Sequence, residues 1–305
     1  MWWRARRSRE LRARFAAELG ERLELRSPAL RRAFAEVPRE RFLPPGPWLD
    51  MGEGPGPQTA GYRSTPDADL ARVYRDVAIA IDPGRLLNNS QPSLLAGVFD
   101  ALDVRSGETV LHLGCSTGYY TAILARLVAP GGRVVAYEIA PDIAHRARRA
   151  LRRERGVELR QEDALEAALP VADVVWIDAG VTRLRTAWLD ALRPGGRLAV
   201  PLTAVRAPIR AARLVRTHIG RVLFVRREAS GFSARFGPGL AIMALHGGRD
   251  PDEQRLLDAA YREGGYADVR SLRCDPHERE PACWVHVREM CLSRRPLEPG
   301  NPPPS

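Results

Sequence analysis

A glycine-rich turn is the part of this sequence whose residue types and spacing point most directly to chemistry. Between an apolar run and a helical pattern stand Gly114, Cys115, Ser116, Thr117, Gly118 and Tyr119. Glycines allow a backbone to approach a ligand closely, and the start of a helix offers N–H groups without helical partners. The turn therefore predicts a ligand-binding site, although dehydrogenases and kinases use similar loops.

Three acidic residues follow successive predicted strands and sharpen this prediction. Glu138 ends the strand after the turn, where a carboxylate can accept hydrogen bonds from both ribose hydroxyls. Asp163 follows the next strand, where it can accept from an adenine amino group, and Asp178 ends the strand after that. Each acid alone could instead cap a helix or lie in a solvated loop. Together they predict a cofactor that contains adenosine.

The spacing of the glycines argues against NAD as that cofactor. Dinucleotide-binding turns follow G-x-G-x-x-G, in which the third glycine allows close packing of the helix. This turn reads G-x-x-x-G, with Ser116 in its middle. The segment 192–198 (LRPGGRL), before the fifth predicted strand, is typical of a methyltransferase fold instead.

A parallel sheet is needed to bring these residues to one edge. Apolar runs that read as strands alternate with helical patterns, at 109–113, 133–139, 157–160, 172–177 and 197–200. This alternation predicts a parallel sheet covered by helices, and right-handed crossovers make it doubly wound. We therefore predict an α/β, doubly wound, Rossmann-like fold with its ligand at the carboxyl ends of the strands.

The flanking regions have different patterns and set the predicted domain bounds. Amphipathic helical patterns come first, and a Pro/Gly-rich loop over 44–68 follows them. After the fifth strand, the pattern changes to further strands, including one at 209–215, and one helix. The predicted bounds are 1–75 for N-terminal helices and loop, 76–247 for the main domain, 248–295 for a small α+β appendage and 296–305 for a disordered tail.

Composition excludes several classes of function. The 47 basic residues are all arginine, so no site uses a catalytic lysine or the lysine of a phosphate-binding P-loop. The net charge of +10 permits an acidic peptide or RNA as a partner without requiring either. No apolar run reaches the roughly 18 residues of a membrane helix, and the N-terminus has no secretory pattern. We expect a cytoplasmic protein without a membrane partner.

Cysteines and histidines near the C-terminus raise the question of a metal site. Cys274, His277, Cys283 and His286 follow the pattern C-x2-H-x5-C-x2-H, which resembles a zinc knuckle. The run 283–287 alternates like a strand, and alternation places Cys283 and His286 on opposite faces. We therefore predict no metal site.

Several segments together resemble the protein-L-isoaspartate O-methyltransferase family. The resemblance runs from residue 30 to residue 203. It is carried by residues 33–44 (AFAEVPRERFLP), 73–76 (VYRD), 87–92 (LNNSQP), 111–120 (LHLGCSTGYY) and 192–201 (LRPGGRLAVP). The SQP segment followed by the glycine-rich turn is specific, because a generic methyltransferase lacks this combination.

The resemblance implies an activity, a cofactor and a set of site residues. The cofactor is then S-adenosylmethionine, and the substrate is a protein or peptide that carries an aspartyl or isoaspartyl residue. Ser90 is implied as the active-site residue near the transferred methyl group, although it could also cap the helix that begins at Pro92. The implied cofactor contacts are Asn88, Asn89, Gly114, Cys115, Ser116, Thr117, Gly118, Tyr119, Glu138, Asp163 and Ala164.

The sequence also departs from the family at positions that bear on the substrate. His112 stands where the family usually has an acid, Ser116 replaces a loop glycine, and Asn88-Asn89 replaces Thr-Ile. General repair of L-isoaspartate and tailoring of one ribosomally made peptide therefore both stay open. RNA methylation is a further alternative. The end of the fourth strand argues against it, because the sequence Ile-Asp-Ala-Gly there has no aromatic residue to clamp a base. The remaining alternative is a binding module without catalytic activity.

Overall fold

The described part of the chain divides into two units. The computed structural model describes residues 2–52, 62–204, 217–288 and 290–298. The first unit holds the described residues up to Glu162, and the second holds those from Asp163 onwards. The predicted strand at 209–215 lies outside the described residues, as do parts of the 44–68 loop and of the C-terminal tail. None of the described helices has an apolar stretch of the length that a bilayer requires.

Two amphipathic helices open the first unit, as the sequence predicts. α1 spans Trp2–Arg22 and α2 spans Pro28–Glu36. Ser27 caps α2 by accepting a hydrogen bond from the Leu30 N–H at 3.1 Å. Pro28 suits the first turn because an N–H at that position has no helical partner to lose. The buried apolar side chains of the two helices include Phe15, Leu19, Leu30 and Phe34.

Short strands form two antiparallel pairs after these helices. β1 (Leu49–Asp50) pairs with β2 (Arg63–Ser64), and β3 (Ala80–Asp82) pairs with β4 (Leu87–Asn88). The sequence predicts only a loop around the first pair, because strands of two residues leave no periodic pattern. The helix α3 (Pro92–Leu102) follows β4.

The parallel strands predicted for the first unit are present. β5 (Thr109–Leu113), β6 (Arg133–Tyr137) and β7 (Val157–Arg160) lie side by side and parallel. The helices α4 (Tyr119–Val128) and α5 (Pro141–Leu151) connect them. Every residue of β5 is buried, as expected for a strand that is covered on both faces. The glycine-rich turn therefore lies between β5 and α4.

The second unit is built on a mixed sheet. Its strands are β8 (Ala172–Ile177), β9 (Leu192–Ala204), β10 (Thr217–Glu228), β11 (Gly231–Met243), β12 (Ser271–Arg273), β13 (Cys283–Val287) and β14 (Met290–Ser293). β8 and β9 are parallel, and the order β9-β10-β11-β12-β14-β13 is antiparallel throughout. The helices are α6 (Thr186–Asp190), before β9, and α7 (Pro251–Glu263), before β12.

The Pro-Gly-Gly segment before the fifth predicted strand forms an irregularity within β9. Ala172 pairs with Leu192, whereas Val174 pairs with Arg197, so β9 holds extra residues opposite β8. Gly195 has a φ of 77° there, which glycine adopts without the strain of a side chain. The prediction that this strand begins at residue 197 is therefore wrong, because β9 begins at Leu192. The sequence pattern does not reveal that Leu192 pairs with Ala172 of β8.

A buried carboxylate joins α7 to the segment after β8. Glu253, in the first turn of α7, is 3% exposed. Its carboxylate accepts a hydrogen bond from the Thr182 hydroxyl at 2.8 Å and pairs with the Arg183 guanidinium at 2.7 Å. A buried carboxylate needs such partners, because loss of water disfavours its charge. These two contacts therefore tie the first turn of α7 to Thr182 and Arg183.

Replacing Glu253 by alanine removes the buried partner of Arg183, and we expect the free energy of unfolding to fall by about 3 kcal/mol. Chemical denaturation followed by circular dichroism measures the loss. The matched control is Asp252→Ala, because Asp252 pairs with Arg255 at the surface, where an ion pair contributes less than about 1 kcal/mol. Equal losses in the two variants would contradict the role assigned to Glu253.

Candidate functional site

The hydroxyl of Ser90 is not used by the fold. Ser90 lies between β4 and α3 with a φ of 39°, and its N–H donates to Asn88 Oδ1 at 2.9 Å. Within the described ranges, its hydroxyl makes no hydrogen bond. Gln91 occupies the cap position of α3, and Asp76 Oδ1 accepts from the Ser93 N–H at 2.7 Å. The alternative that Ser90 caps this helix is therefore wrong, and its side chain is available to a ligand.

Asp76 performs the capping role from outside the helix. Its second carboxylate oxygen accepts from Gln91 Nε2 at 3.0 Å and pairs with the Arg22 guanidinium at 2.6 Å. Although burial alone raises the pKa of Asp76, hydrogen bonds from Gln91 and Ser93 hold it below its usual range. The sequence singles out Asp76 as part of segment 73–76 but assigns it no task. The structure assigns it the start of α3.

A buried guanidinium holds the backbone at Ser90 and in the segment before it. Arg39 is 0% exposed, and it donates to Asn89 Oδ1 at 2.8 Å. Its remaining acceptors, at 2.7 to 3.4 Å, are the carbonyl oxygens of Val73, Arg75, Val77, Asn89 and Ser90. Sequence reasoning missed this residue. The one available signal was its place in segment 33–44, which does not distinguish it from the neighbouring Arg41.

The glycine-rich turn needs left-handed backbone at several positions. Gly114, Ser116 and Gly118 have φ values of 82°, 52° and 91°. At Gly118 a Cβ atom would lie 2.7 Å from Leu151 Cδ1, so a side chain there would displace Leu151 as well as strain the backbone. The N–H of Gly114 donates to the Tyr137 carbonyl at 3.0 Å. This hydrogen bond fixes the turn against the end of β6.

Three side chains around the turn point into the protein. Cys115, Thr117 and Tyr119 are all buried. The Thr117 hydroxyl donates to the Phe42 carbonyl at 2.7 Å, and the Tyr119 and Phe42 ring centroids lie 5.7 Å apart. Because these side chains serve packing, a ligand that contacts these positions does so through the backbone.

The hydroxyl of Ser116, in the middle of the turn, is a buried polar group. Its oxygen makes no hydrogen bond to any described residue. Buried polar atoms are nearly always hydrogen-bonded, and an exception points to a ligand or a water molecule. A non-glycine residue with a φ of 52° is also unusual. The serine that replaces a family glycine therefore fits a ligand that accepts or donates a hydrogen bond at this position.

Glu138 connects the end of β6 to the turn. Its two carboxylate oxygens accept from the N–H groups of Ser116 and Ala140, each at 2.9 Å. Burial raises the pKa of Glu138 above its usual range, although the two N–H bonds act in the opposite direction. An ionised carboxylate has about four lone-pair positions, so acceptors are left for the hydroxyls of a ribose.

Tyr120 ties the Ser90 loop to the turn. Its hydroxyl, on α4, lies 3.4 Å from the carbonyl oxygens of Asn89 and Ser90. The Asn89 N–H donates to the Ile79 carbonyl at 2.7 Å. The first unit thus brings together the predicted residues 88–90, the glycine-rich turn and Glu138.

His112 has a structural role in place of the expected acid. It is 0% exposed in β5, and its Nδ1 lies 2.9 Å from the Thr121 hydroxyl of α4. The pair joins the strand to the helix that covers it. The departure from the family at this position therefore serves packing between β5 and α4.

Asp163 and Ala164 belong to the second unit. Asp163 Oδ1 accepts from the Leu165 N–H at 2.9 Å, and the Asp163 carbonyl accepts from the Ala167 N–H at 2.9 Å. Ala164 is buried, and Trp188 Nε1 donates to its carbonyl at 3.4 Å. One carboxylate oxygen of Asp163 thus shapes the local turn. The contacts of both residues with a cofactor stay predictions.

Comparison with known proteins decides the family. A sequence model described as "Protein-L-isoaspartate(D-aspartate) O-methyltransferase" matches residues 62–226. The chain belongs to this family. The membership predicted from the turn and the SQP segment is therefore confirmed.

Curated relatives carry the same description. The chain is 36% identical to protein-L-isoaspartate O-methyltransferase 1 of Anaeromyxobacter sp. over 186 residues, which cover 59% of this chain and 74% of the relative. It is 31% identical to a protein-L-isoaspartate O-methyltransferase of Gloeobacter violaceus over 210 residues, which cover 68% of this chain and 87% of the relative.

Solved structures are similar in fold. A protein-L-isoaspartate O-methyltransferase aligns with a TM-score of 0.60 at 22% identity, covering 87% of this chain and 72% of that one. A protein of the same family from Plasmodium falciparum, in complex with S-adenosyl-L-homocysteine, aligns with a TM-score of 0.56 at 13% identity. That alignment covers 77% of this chain and 97% of the other. These likenesses confirm the doubly wound, Rossmann-like α/β fold.

Replacing Arg39 by lysine removes most of the donors that hold the backbone around Ser90. We expect the opening free energy of residues 73–90 to fall by about 2 kcal/mol, which speeds their amide exchange roughly thirtyfold. Hydrogen exchange with mass spectrometry measures this change. Arg41→Lys is the matched control, because Arg41 lies in the same short helical turn but pairs with Glu154. Unchanged exchange in Arg39→Lys would contradict the assignment.

Proposed function

We propose that this chain is an S-adenosylmethionine-dependent O-methyltransferase that methylates the side-chain carboxylate of L-isoaspartyl residues in proteins. Its family membership supports the reaction and the class of substrate. The observation that carries the proposal at the level of residues is the Ser90 hydroxyl, which the fold leaves available on a loop tied to the glycine-rich turn.

The residues of the first unit suit this cofactor. The buried Ser116 hydroxyl without a partner and the glycine positions of the turn provide a place where a ligand lies against backbone. Glu138 retains acceptors for the two ribose hydroxyls, and Asn88 and Asn89 flank the same loop. In the second unit, the Asp163 carboxylate would accept a hydrogen bond from an adenine amino group.

The chemistry requires positioning more than acid–base catalysis. S-adenosylmethionine supplies a methyl group that is already activated by its sulfonium. A carboxylate is already ionised at neutral pH, so it needs no general base. Holding two reactants in line can account for a large part of a rate enhancement. Ser90 donates a hydrogen bond that orients the substrate carboxylate, and Arg39 holds the Ser90 backbone in place.

A tailoring role on one peptide is a second candidate. The matched family segment ends at residue 226, and the described chain continues through α7 and β12–β14. Such an addition could hold a specific partner. The net charge of +10 is compatible with an acidic substrate in either case.

Ser90→Ala should retain cofactor binding but lower kcat roughly ten- to hundredfold, because it removes a donor that acts on the reacting carboxylate. Asp163→Ala should show the reverse pattern, with cofactor affinity reduced roughly tenfold. Calorimetry with S-adenosylmethionine and methyl-transfer assays separate the two effects. Ser106→Ala is the control, because this exposed serine lies away from the candidate site residues in sequence and its hydroxyl donates to the Pro130 carbonyl. Normal turnover by Ser90→Ala would refute its positioning role.

Mass spectrometry of products distinguishes the two candidate substrates. A peptide with L-isoaspartate, its L-aspartate isomer and any short peptide encoded beside this gene are each incubated with S-adenosylmethionine. We expect the L-isoaspartyl peptide to gain the mass of one methyl ester and the isomer to stay unchanged. Methylation of the neighbouring peptide alone would establish tailoring. Methylation of none, with the cofactor bound, would contradict both candidates.

A further inference from the structure

Four side chains near the C-terminus form a cluster that the methyltransferase reaction does not use. They are His277, Cys283, His286 and Cys291, and one donor atom of each lies within 4.8 Å of the others. All four belong to the second unit. Cys274, which the sequence pattern includes, is exposed and lies outside the cluster. The pattern is therefore H-x5-C-x2-H-x4-C, with Cys291 in place of Cys274.

An irregularity in β13 explains why the strand pattern was misleading. Cys283 pairs with Ser293 of β14, but Val285 pairs with Leu292, so the register shifts at Trp284. Strict alternation, which places Cys283 and His286 on opposite faces, is interrupted there. Both residues instead direct donor atoms to the same cluster, and the prediction of opposite faces is wrong.

Aromatic packing holds this irregularity in place. The Trp284 indole N–H donates to the Gly264 carbonyl at 2.7 Å. Its ring lies 5.0 Å from the Phe236 ring and 5.2 Å from the Tyr261 ring, centroid to centroid. Trp284 is 2% exposed. The register shift therefore belongs to the packed core of the second unit.

The orientation of His277 is that of a metal ligand. Its Nδ1 lies 2.8 Å from the Asp275 carbonyl, which requires a proton on Nδ1. The lone pair is then on Nε2, which lies 3.7 Å from Cys283 Sγ. A sulfur and a nitrogen ligand of one tetrahedral zinc ion lie about 3.5 Å apart, given Zn–S and Zn–N bonds of about 2.3 and 2.0 Å. A carbonyl that accepts from the distal nitrogen is also the usual support of a ligating histidine.

The other ligands have matching features. His286 Nδ1 is buried and makes no hydrogen bond to any described residue. Cys291 is 0% exposed. The Glu280 N–H donates to Cys283 Sγ at 3.3 Å, as suits a sulfur that carries negative charge. Two thiolates and one divalent cation sum to zero charge, so a loaded site is compatible with burial.

Ion pairs fix the loop that carries His277. The Arg273 guanidinium pairs with Asp275 at 2.6 Å and with Glu280 at 3.1 Å. Arg295 pairs with Glu280 at 3.0 Å. These pairs tie the loop to the end of β12 and to the segment after β14. Its fixed position presents His277 to the two strands.

We propose that His277, Cys283, His286 and Cys291 bind one structural zinc ion. Two sulfur and two nitrogen donors suit zinc, whereas magnesium and calcium require oxygen. Four protein ligands complete a tetrahedral shell and leave no position for water or substrate, so the site is structural. The ion joins the 274–282 loop to β13 and β14.

Metal analysis of the purified full-length chain tests this proposal. After growth with zinc and removal of loosely bound metal, we expect one zinc per chain. Removal by a strong chelator should lower Tm by at least about 5 °C, and zinc should restore it, because binding stabilises the folded state. Cobalt in place of zinc should give the visible absorption of tetrahedral sites with thiolate ligands.

Variants locate the ion. His277→Gln and Cys291→Ser should each lose most of the zinc, whereas the matched control Cys274→Ser should retain it. His277 lies on a loop, so its variant keeps the test informative if Cys291→Ser does not fold. A folded wild-type chain without zinc affinity would overturn the proposal. A Cys283–Cys291 disulfide, seen as a mass lower by two hydrogens, or loss of zinc in Cys274→Ser, would do the same.

Discussion

The buried guanidinium of Arg39 is the interaction on which the candidate site depends. Residues 73–78 and 89–90 form no helix or strand, so their carbonyl groups lack the partners that a helix or sheet provides. Arg39 supplies donors to them at 2.7 to 3.4 Å. Arg39 and the carbonyl groups both need these hydrogen bonds, because a buried cation or a buried carbonyl without a partner raises the free energy of the folded state. The Ser90 backbone is held as a result.

The site is therefore positioned by backbone more than by catalytic side chains. Asp76 takes over the start of α3, and among the described residues the Ser90 hydroxyl has no hydrogen-bond partner. Glu138 accepts from the Ser116 N–H, so the acid after β6 and the turn after β5 form one structure. Methyl transfer to an ionised carboxylate needs alignment of the reactants, and such a rigid frame suits that requirement.

In the second unit, the last strands of the sheet need support from outside the strands themselves. Its last strands are short, and β12 and β14 pair over only a few residues. Aromatic packing around Trp284 and ion pairs around Arg273 support them. A cluster of two histidines and two cysteines lies where the 274–282 loop meets β13 and β14. A metal ion bound there would cross-link this loop to the two strands and stabilise the folded state.

The sequence by itself determined the features that depend on neighbours along the chain. Glycines at positive φ, the alternation of strands and helices, and the acid at the end of β6 all follow from local conformation. Tertiary structure alone decided the tasks of Arg39 and Asp76, because their partners are distant in sequence. It also replaced Cys274 with Cys291 in the cluster, because the pairing of β13 with β14 sets Cys291 opposite His286. Local patterns specify how the backbone turns, whereas packing specifies which groups meet.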